Sequence, residues 1–458
     1  MDLLNHWIAE AASFVWGLPL LFLLIGGGLC LLVYSRFLPF KYFGHAIQVL
    51  RGKYDNPDDP GEISHFQALM TALSSTVGMG NIAGVAVAIA VGGPGAVFWM
   101  WISALVGMST KFFTCTLAVL FRGKDDSGTL QGGPMYFITE GLGKAWKPLA
   151  VFFSIAGLVG ALPVFNVNQL TQAVNDILLV PNGIEKGFTT DLSIGIVLAV
   201  ITGIVILGGL NRISKTASKL VPAMVVLYFI AVLAILILNA AEVPHYLQLI
   251  FTDAFAANNY TGDPMFGGVL GALIVLGIRR GAFSNEAGIG TAPMAHGAAK
   301  TEEPIREGLV AMLGPFIDTV IVCTLTALCI LVTGVWKTTA ASGVTLTAKA
   351  FSDSIPGYGP YVLLVCIAVF SISSLFSYSY YGTKCLAFLF GTRHKHWYNY
   401  FYIASILIGA TTSLDLMINL IDTFFALMAI PTMLATLILA PKVMQRARMY
   451  FTSLNKTN

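Results

Sequence analysis

Charged residues are scarce in this chain of 458 residues. Lys, Arg, Asp and Glu together make up 11% of it, whereas hydrophobic residues make up 56%. A soluble globular domain usually has roughly 25% charged residues. This deficit excludes a soluble globule and predicts a protein with many membrane-spanning helices. The net charge of +3 is too small to predict nucleic acid as a partner.

The chain also lacks the patterns that predict metal centres, disulfide frameworks and cleaved signal peptides. Its six cysteines are scattered, at spacings unlike those of metal ligands. No positive charge precedes the first apolar run, which begins near Phe14, and no small-residue cleavage site follows it. We therefore expect this run to be a transmembrane helix of the mature protein.

Apolar segments long enough to cross a membrane recur along the whole chain. A transmembrane helix needs about 20 apolar residues. The first segment has no counterpart, whereas the next five and the last five form two equivalent sets. Because five is odd, the second set starts from the opposite side of the membrane, which produces an inverted repeat. We predict an all-α polytopic fold with eleven spans, near residues 14–34, 66–91, 94–121, 147–179, 191–209, 218–240, 264–299, 307–335, 359–390, 399–413 and 417–440.

The distribution of Lys and Arg predicts the orientation of these spans, because cytoplasmic loops are the more basic ones. With eleven spans, the basic residues of the loops fall on one side, apart from Lys186, Lys337 and Lys349. We therefore expect the N-terminus outside and the C-terminus in the cytoplasm. The predicted parts are an extra N-terminal transmembrane helix (1–36), a cytoplasmic loop with a surface helix (37–65), a first repeat (66–240), an external loop (241–263), a second repeat (264–440) and a cytoplasmic tail (441–458).

A glycine-rich sequence, VGMGN at residues 77–81, interrupts the second apolar segment. Glycines let the backbone leave a helix at little steric cost. The freed carbonyls suit a cation or an ammonium group, and the freed N–H groups at a helix start suit a carboxylate. A zwitterionic amino acid has both charges, so this break is a candidate binding site. Close helix packing by glycine is the structural alternative.

A second interruption, GAFSNEAGIG at residues 281–290, lies at the corresponding position of the second repeat. Paired interruptions of this kind indicate the binding site of a secondary transporter. Glu286 lies in the segment, and ionisable side chains inside a membrane are candidates for function. We interpret Glu286 as a gating or proton-carrying residue, or alternatively as a structural partner of Arg279 or Arg280.

Two further segments contain more polar side chains than lipid-facing helices usually do. The ninth has five serines between residues 371 and 379, and hard oxygen ligands suit Na⁺. Ser373 and Ser374 would complete a cation site that begins with carbonyls of the second segment. The fourth segment is rich in amides, among them Gln169, whose neutral donor and acceptor suit a small zwitterion. Hydrogen bonding between helices is the alternative for both segments.

Five motifs, in order along the chain, resemble those of the alanine or glycine:cation symporter family, also called sodium:alanine symporters. They are TVGMGNIAG (76–84), GGPGAVFWMW (92–101), GGPMY (132–136), FSNEAGIG (283–290) and SYYG (379–382). The match covers nearly the whole chain. The resemblance implies the leucine-transporter fold and sodium-coupled uptake of alanine or glycine by alternating access. It also implies a plasma-membrane location (the inner membrane in bacteria), Na⁺ as the co-transported ion, and no obligatory protein partner.

The resemblance also assigns roles to individual residues. It implies that the Thr76 carbonyl and the Gly80 amide contact the substrate. The full substrate set comprises Thr76, Gly78, Met79, Gly80, Asn81, Gln169, Phe283, Ser284, Asn285 and Tyr378. The implied sodium ligands are the carbonyls of Ser74, Val77 and Phe370 with the hydroxyls of Ser373 and Ser374.

Two residues depart from the family's pattern. Met79 stands where many members have Thr, which removes a hydroxyl and adds bulk. Tyr378 stands where many members have Trp, and its smaller ring brings a hydroxyl. These departures predict a preference for an amino acid somewhat larger or more polar than alanine, such as serine or glutamine.

Three alternatives to sodium symport follow from the sequence. The first is a proton-coupled amino-acid symporter with Glu286 as the proton carrier. The second is a membrane enzyme, which would need clustered His, Asp or Glu residues that the sequence does not show. The third is a substrate-sensing receptor, which would need a soluble output domain.

Overall fold

Regular structure in the computed structural model is almost entirely helical. The model describes residues 7, 10, 14–256 and 268–457. A two-stranded antiparallel hairpin joins β1 (Gly123–Lys124) to β2 (Leu130–Gln131). The main helices are α1 (Leu18–Tyr34), α2 (Phe43–Leu50), α3 (His65–Thr76), α4 (Gly80–Gly92), α5 (Gly95–Leu120), α6 (Lys144–Asn182), α7 (Phe188–Ile206), α8 (Gly209–Leu238), α9 (Val243–Asp253), α10 (Gly268–Asn285), α11 (Thr291–His296), α12 (Pro304–Val332), α13 (Val344–Ser354), α14 (Gly359–Phe390), α15 (Lys395–Thr411) and α16 (Leu414–Thr457).

Most of the predicted spans correspond to long apolar helices. Within the described ranges, seven helices are long and apolar enough to cross a membrane, namely α5, α6, α7, α8, α12, α14 and most of α16. Helices α3 and α4 together form an eighth such unit, bent by 52° between Thr76 and Gly80. The predicted seventh span is divided into α10 and α11, and its first residues, 264–267, lie outside the described residues. Eleven spans in two inverted repeats therefore stay a prediction.

Local sequence explains where the helices of the site begin and end. Ser64 starts α3 with a reciprocal cap, in which its Oγ accepts the Gln67 N–H and the Gln67 side chain accepts the Ser64 N–H. Gly93 ends α4 in the left-handed region, with φ of 72°. Gly391 ends α14 in the same way, with φ of 88°.

Several helices lie where the sequence predicted loops. The predicted surface helix near the N-terminus is α2, whose Ala46 and Val49 are buried. Helix α9 occupies part of the predicted external loop, and the remainder of that loop from residue 257 lies outside the described residues. Helix α13 fills the connection between α12 and α14. The predicted cytoplasmic tail is helical, because α16 continues through it to Thr457.

Loops that are distant in sequence meet at one face, which we call the basic face. Asp126, in the hairpin, accepts hydrogen bonds of 3.0 and 3.1 Å from the Thr392 N–H after α14. Hydrogen bonds from Thr392 lower the pKa of Asp126. On the same face, Arg446 of α16 pairs with Glu303 at 2.8 Å. The face comprises the loops around residues 36–64, 121–146, 207–208, 297–303 and 391–394.

Arg122 forms hydrogen bonds to two chain segments at the basic face, one before α3 and the other after α11. Its guanidinium donates to the carbonyls of Gly297 (2.8 Å), Pro60 (3.1 Å) and Thr301 (3.1 Å), and also to that of Ala299. Ile63 pairs with Ala299 in a short parallel bridge beside it. The start of α3 and the end of α11 are thereby held together.

We expect Arg122→Gln to lower the free energy of unfolding by about 2 kcal/mol, because carbonyls that accept from a charged donor lose it. Thermal unfolding in detergent would measure this loss as a lower melting temperature. Arg448→Gln, on the exposed surface of α16, is the matched control. Equal melting temperatures for both variants would contradict a fastening role for Arg122.

Candidate functional site

The two helix breaks face each other in the centre of the molecule. The first separates α3 from α4 at residues 77–79, and the second separates α10 from α11 at residues 286–290. The backbones approach so closely that a Cβ added to Gly80 would lie 3.5 Å from the Ser284 Cα. The structure thus brings the two predicted breaks into one site.

The second break is shorter than the sequence predicted. Residues 281–285 remain helical, and the chain leaves the helix at Glu286, which has φ of 53°. Gly281 instead allows α10 to pack closely against α5, since a Cβ there would lie 2.9 Å from the Ser103 Cβ. The prediction that unwinding begins at Gly281 is wrong, and Phe283, Ser284 and Asn285 lie in the last turn of α10.

One asparagine caps each break. Asn81 accepts the Gly78 N–H at 2.8 Å through its Oδ1, and its Nδ2 donates to Asp318 Oδ1 at 2.7 Å. Asn285 accepts the Ala287 N–H at 3.0 Å and donates to Thr319 Oγ1 at 3.2 Å. Backbone groups at membrane depth must find partners inside the protein. Both asparagines meet this need and connect the breaks to the same turn of α12.

Asp318 is the residue on which these connections converge. Besides Asn81, its carboxyl accepts from Ser284 Oγ at 2.8 Å and Thr319 Oγ1 at 2.7 Å. The side chain is fully buried, in a π-helical stretch of α12 at Phe316–Cys323. Nothing close to Asp318 in the sequence indicates a partner for it. A lone aspartate inside an apolar segment was the available signal.

A small cavity of about 20 Å³ lies against the first break. Its volume admits little more than one water molecule. Three of the predicted substrate residues, Asn81, Ser284 and Asn285, do not line the cavity. Their side chains contact α12 instead. The lining comprises Ser75, Thr76, Gly78, Met79, Gly80, Gly160, Leu162, Phe165, Asn166, Phe283, Tyr378, Ile421 and Phe425.

Helix α6 presents a different amide to this cavity than the sequence indicated. Asn166 lines the cavity, and its Oδ1 lies 3.4 Å from the Met79 N–H. Gln169 does not line it. Its Nε2 donates to Gln172 Oε1 at 3.1 Å and to Asn168 Oδ1 at 3.4 Å. The substrate role implied for Gln169 therefore stays a prediction, and the sequence missed Asn166.

Buried oxygens gather between α3 and α14, close to the first break. Ser373 Oγ lies 2.8 Å from the Phe370 carbonyl and 3.5 Å from that of Ser74. Ser374 Oγ lies 3.1 Å from the Phe370 carbonyl and 3.5 Å from that of Ser75. Four of the five residues of the predicted sodium set thus lie together. The contacts bring in the Ser75 carbonyl, while the part assigned to Val77 stays a prediction.

Glu286 contacts hydroxyl groups rather than arginines. Its Oε1 accepts from the Tyr378 hydroxyl and its Oε2 from Thr291 Oγ1. Arg279 instead pairs with the buried Asp422 on α16. The alternative that Glu286 is a structural partner of Arg279 is therefore wrong, and Arg280 likewise interacts electrostatically with Asp422. The Tyr378 hydroxyl is engaged by Glu286, so Tyr378 presents its ring to the cavity.

Two groups of buried ionisable residues escaped the sequence analysis. His65 and His296 both contact Glu307, which joins α3, α11 and α12 near the basic face. Lys111 is buried in α5, within electrostatic range of Glu286 and Asp318. The members of each group are far apart in sequence, so periodicity could not bring them together. Within the part of the chain that the structure describes, we find no cluster of three or more His, Cys, Asp or Glu residues suited to a metal ion.

Comparison with known proteins gives consistent matches over nearly the whole chain. The sequence matches the sodium:alanine symporter family over residues 1–458. It is 40% identical over 443 residues to the sodium/alanine symporter AgcS of Methanococcus maripaludis, covering 96% of this chain and 95% of the relative. It is 34% identical over 451 residues to the probable sodium/glutamine symporter GlnT of Bacillus subtilis, covering 98% and 91%.

The fold has a solved counterpart at low sequence identity. The structure is similar to the crystal structure of MhsT in complex with L-phenylalanine, with a TM-score of 0.59 and 14% identity over 81% of this chain and 89% of that chain. MhsT is a transporter of the leucine-transporter fold. The likeness confirms the predicted all-helical, leucine-transporter-like fold.

We expect Gly78→Ala to weaken the binding of a radiolabelled amino acid in Na⁺, because the new Cβ would lie 2.6 Å from Ser374 Oγ and displace that hydroxyl. Gly84→Ala, one turn into α4, is the matched control, since a Cβ there meets nothing within 4 Å. Equilibrium binding to the purified protein would compare the two. Unchanged binding by Gly78→Ala would contradict the contact between the break and the oxygen cluster.

We expect Asp318→Ala to lower the free energy of unfolding by about 3 kcal/mol or more, because three buried donors lose their acceptor. Asp318→Asn should lose less, since the amide carbonyl still accepts a hydrogen bond. Melting temperatures in detergent would rank the two variants against Asp353→Ala, an exposed control on α13. If Asp318→Ala and Asp353→Ala have the same melting temperature, the contacts of Asp318 on α12 do not stabilise the two breaks.

Proposed function

Because this chain belongs to the sodium:alanine symporter family, we propose that it couples the entry of Na⁺ to the uptake of a small neutral amino acid by alternating access. Members of the family are transporters and not enzymes. The family supports cation-coupled amino-acid transport across a membrane. The proposal adds the ion, the substrate class and the direction of transport.

The contact between the oxygen cluster and the first break supports sodium coupling. Gly78 packs directly on Ser374 Oγ, so that a methyl group at Gly78 would displace this hydroxyl. Na⁺ bound by the Ser74, Phe370, Ser373 and Ser374 oxygens would join α3 to α14 and fix the backbone that lines the substrate cavity. Each ligand would then raise the affinity for the other, which is the thermodynamic requirement for symport.

The lining of the central cavity supports a small neutral substrate. Its walls are mostly apolar, with Leu162, Phe165 and Phe425 opposite the break. A charged substrate side chain buried there would find no partner among these groups, which is unfavourable. The broken backbone and Asn166 offer polar groups to the α-ammonium and the α-carboxylate. We place the substrate in the alanine and glycine class, with serine and glutamine as the larger candidates.

Met79 and the ring of Tyr378 decide between these candidates. Both side chains are buried and line the cavity. Because the Tyr378 hydroxyl is engaged by Glu286, only its ring limits the length of the substrate. Met79 is flexible and can change rotamer to fit different substrates. At about 20 Å³ the cavity has to widen before any amino acid enters it, and movement of Met79 would then admit a substrate larger than alanine.

The direction of transport follows from the predicted orientation, with the basic face in the cytoplasm and the N-terminus outside. The inward Na⁺ gradient drives accumulation, and the membrane potential adds about 2.3 kcal/mol per charge per 100 mV. Two helix bundles would rock around the central site. We place the protein in the plasma membrane, which in bacteria is the inner membrane.

Proton coupling is the second candidate, and the position of Glu286 favours it. This carboxyl is buried beside the cavity and contacts Tyr378 in its wall. A proton exchanged at Glu286 would therefore act on the substrate pocket directly. Uptake that follows a pH gradient and ignores replacement of Na⁺ by K⁺ would select this candidate.

We expect uptake of radiolabelled alanine, glycine, serine or glutamine into proteoliposomes only with an inward Na⁺ gradient. Ser374→Ala should raise the Na⁺ concentration for half-maximal uptake roughly tenfold, because one oxygen ligand is lost. Ser371→Ala is the matched control, since this buried serine on the same helix has no hydrogen-bond partner for its hydroxyl within the described structure.

The outcomes separate the two coupling ions. If neither Ser374→Ala nor Ser371→Ala changes the Na⁺ dependence of uptake, the result would contradict the proposed ion site. Uptake of none of the four amino acids under either gradient would contradict the substrate class.

A further inference from the structure

A second and much larger cavity, of about 280 Å³, opens at the basic face. The β1–β2 hairpin forms one wall, and the start of α8 and the ends of α14 and α15 that meet there form the others. Unlike the central cavity, it is large enough to hold a small organic molecule. Charged groups that contribute to its lining include Glu62, Asp125, Lys384 and Lys395.

Lys384 is the most unusual residue of this cavity, because it is buried (4% exposed) and yet lines it. Its Nζ donates to the Met294 carbonyl at 2.9 Å and contacts the Tyr380 hydroxyl at 3.0 Å. An ammonium group has three N–H donors. Two neutral hydrogen-bond partners leave one donor for a ligand, and an anionic ligand would stabilise the charged form of this buried amine.

Acidic groups in the same cavity restrict the kind of anion. Glu62 and Asp125 contribute to the lining, and both interact electrostatically with Lys384. The hairpin residues Ser127 and Gln131 already donate to the Asp125 carboxylate, which leaves Glu62 as the acidic group for a ligand. A simple anion such as phosphate would be repelled by these carboxylates. A zwitterion would place its carboxylate at Lys384 and its ammonium toward Glu62.

The cavity lies directly beyond the central site on the way to the basic face. Lys384 follows Tyr378 by six residues on α14, a distance of about 9 Å along the helix. Tyr381 stands between them, and its hydroxyl lies 3.1 Å from Ser75 Oγ of α3. Tyr378 lines the central cavity, and the next two residues of α14, Ser379 and Tyr380, line the larger one.

We propose that this cavity is a second binding site for the transported amino acid, occupied between the central site and the basic face. Lys384 binds the carboxylate, and Glu62 attracts the ammonium. The identity of the ligand rests on the proposed function. The site itself rests on the cavity, on the buried lysine and on the opposing carboxylates.

Equilibrium binding of radiolabelled alanine, glycine, serine and glutamine to the purified full-length protein in detergent tests the proposal. For the transported amino acid, we expect two molecules per chain in Na⁺, and one when K⁺ replaces Na⁺. Unlabelled propionate and phosphate should compete weakly for the Na⁺-independent molecule, because neither has an ammonium group.

Lys384→Gln should weaken the Na⁺-independent component roughly tenfold or more, because a charge-assisted hydrogen bond is lost. Ala387→Phe fills the same cavity without removing Lys384, so it keeps the test valid if Lys384→Gln does not fold. Lys219→Gln, an exposed lysine on α8, is the matched control. Ser374→Ala should remove only the Na⁺-dependent component.

The outcomes distinguish this inference from the proposed function. The second site would be overturned if only one amino-acid molecule binds per chain in Na⁺ and neither Lys384→Gln nor Ala387→Phe changes that binding. Phosphate that competes as well as the amino acid would overturn its preference for a zwitterion. A single Na⁺-independent molecule that is lost in Lys384→Gln would support the second site while contradicting sodium symport.

Discussion

A broken helix inside a membrane leaves backbone N–H and C=O groups that lipid cannot satisfy, and the central architecture of this protein depends on satisfying them. Asn81 and Asn285 each accept one of these N–H groups, and one turn of α12 holds both asparagine side chains. Asp318 holds Asn81 at the first break, and the adjacent Thr319 holds Asn285 at the second. Because both asparagines also accept a backbone N–H from their own break, α12 fixes the two unwound backbones relative to each other.

The same arrangement places the oxygen cluster between α3 and α14, the central cavity and Glu286 around one centre. The first break contacts Ser374 of the oxygen cluster on one side and lines the cavity on the other. Glu286 begins the second break and engages Tyr378, which is also a wall of the cavity. A change at any of these groups therefore reaches the others through one or two contacts.

The sequence predicted the class of fold and the positions of both breaks, because glycine and polar residues inside apolar segments are local signals. It misplaced the start of the second break, because the sequence does not distinguish a glycine that allows close packing, as Gly281 does against Ser103, from a glycine that allows unwinding. It missed Asn166, because choosing among the amides of α6 requires the rotation of that helix about its axis. It also missed the partners of Asp318 and Glu307, which are close only after the chain has folded.

The contacts that hold the breaks lie behind the cavity, whereas Met79 and Tyr378 line it. Under the proposed function, support of the breaks and selectivity at Met79 therefore depend on different side chains, whereas Tyr378 takes part in both through its contact with Glu286. A mutation at residue 79 would alter which amino acid fits while Asp318, Asn81 and Asn285 keep the breaks in place. Under the proposed function, one substitution at Met79 would give the cell a different nutrient while every contact that holds the breaks is kept.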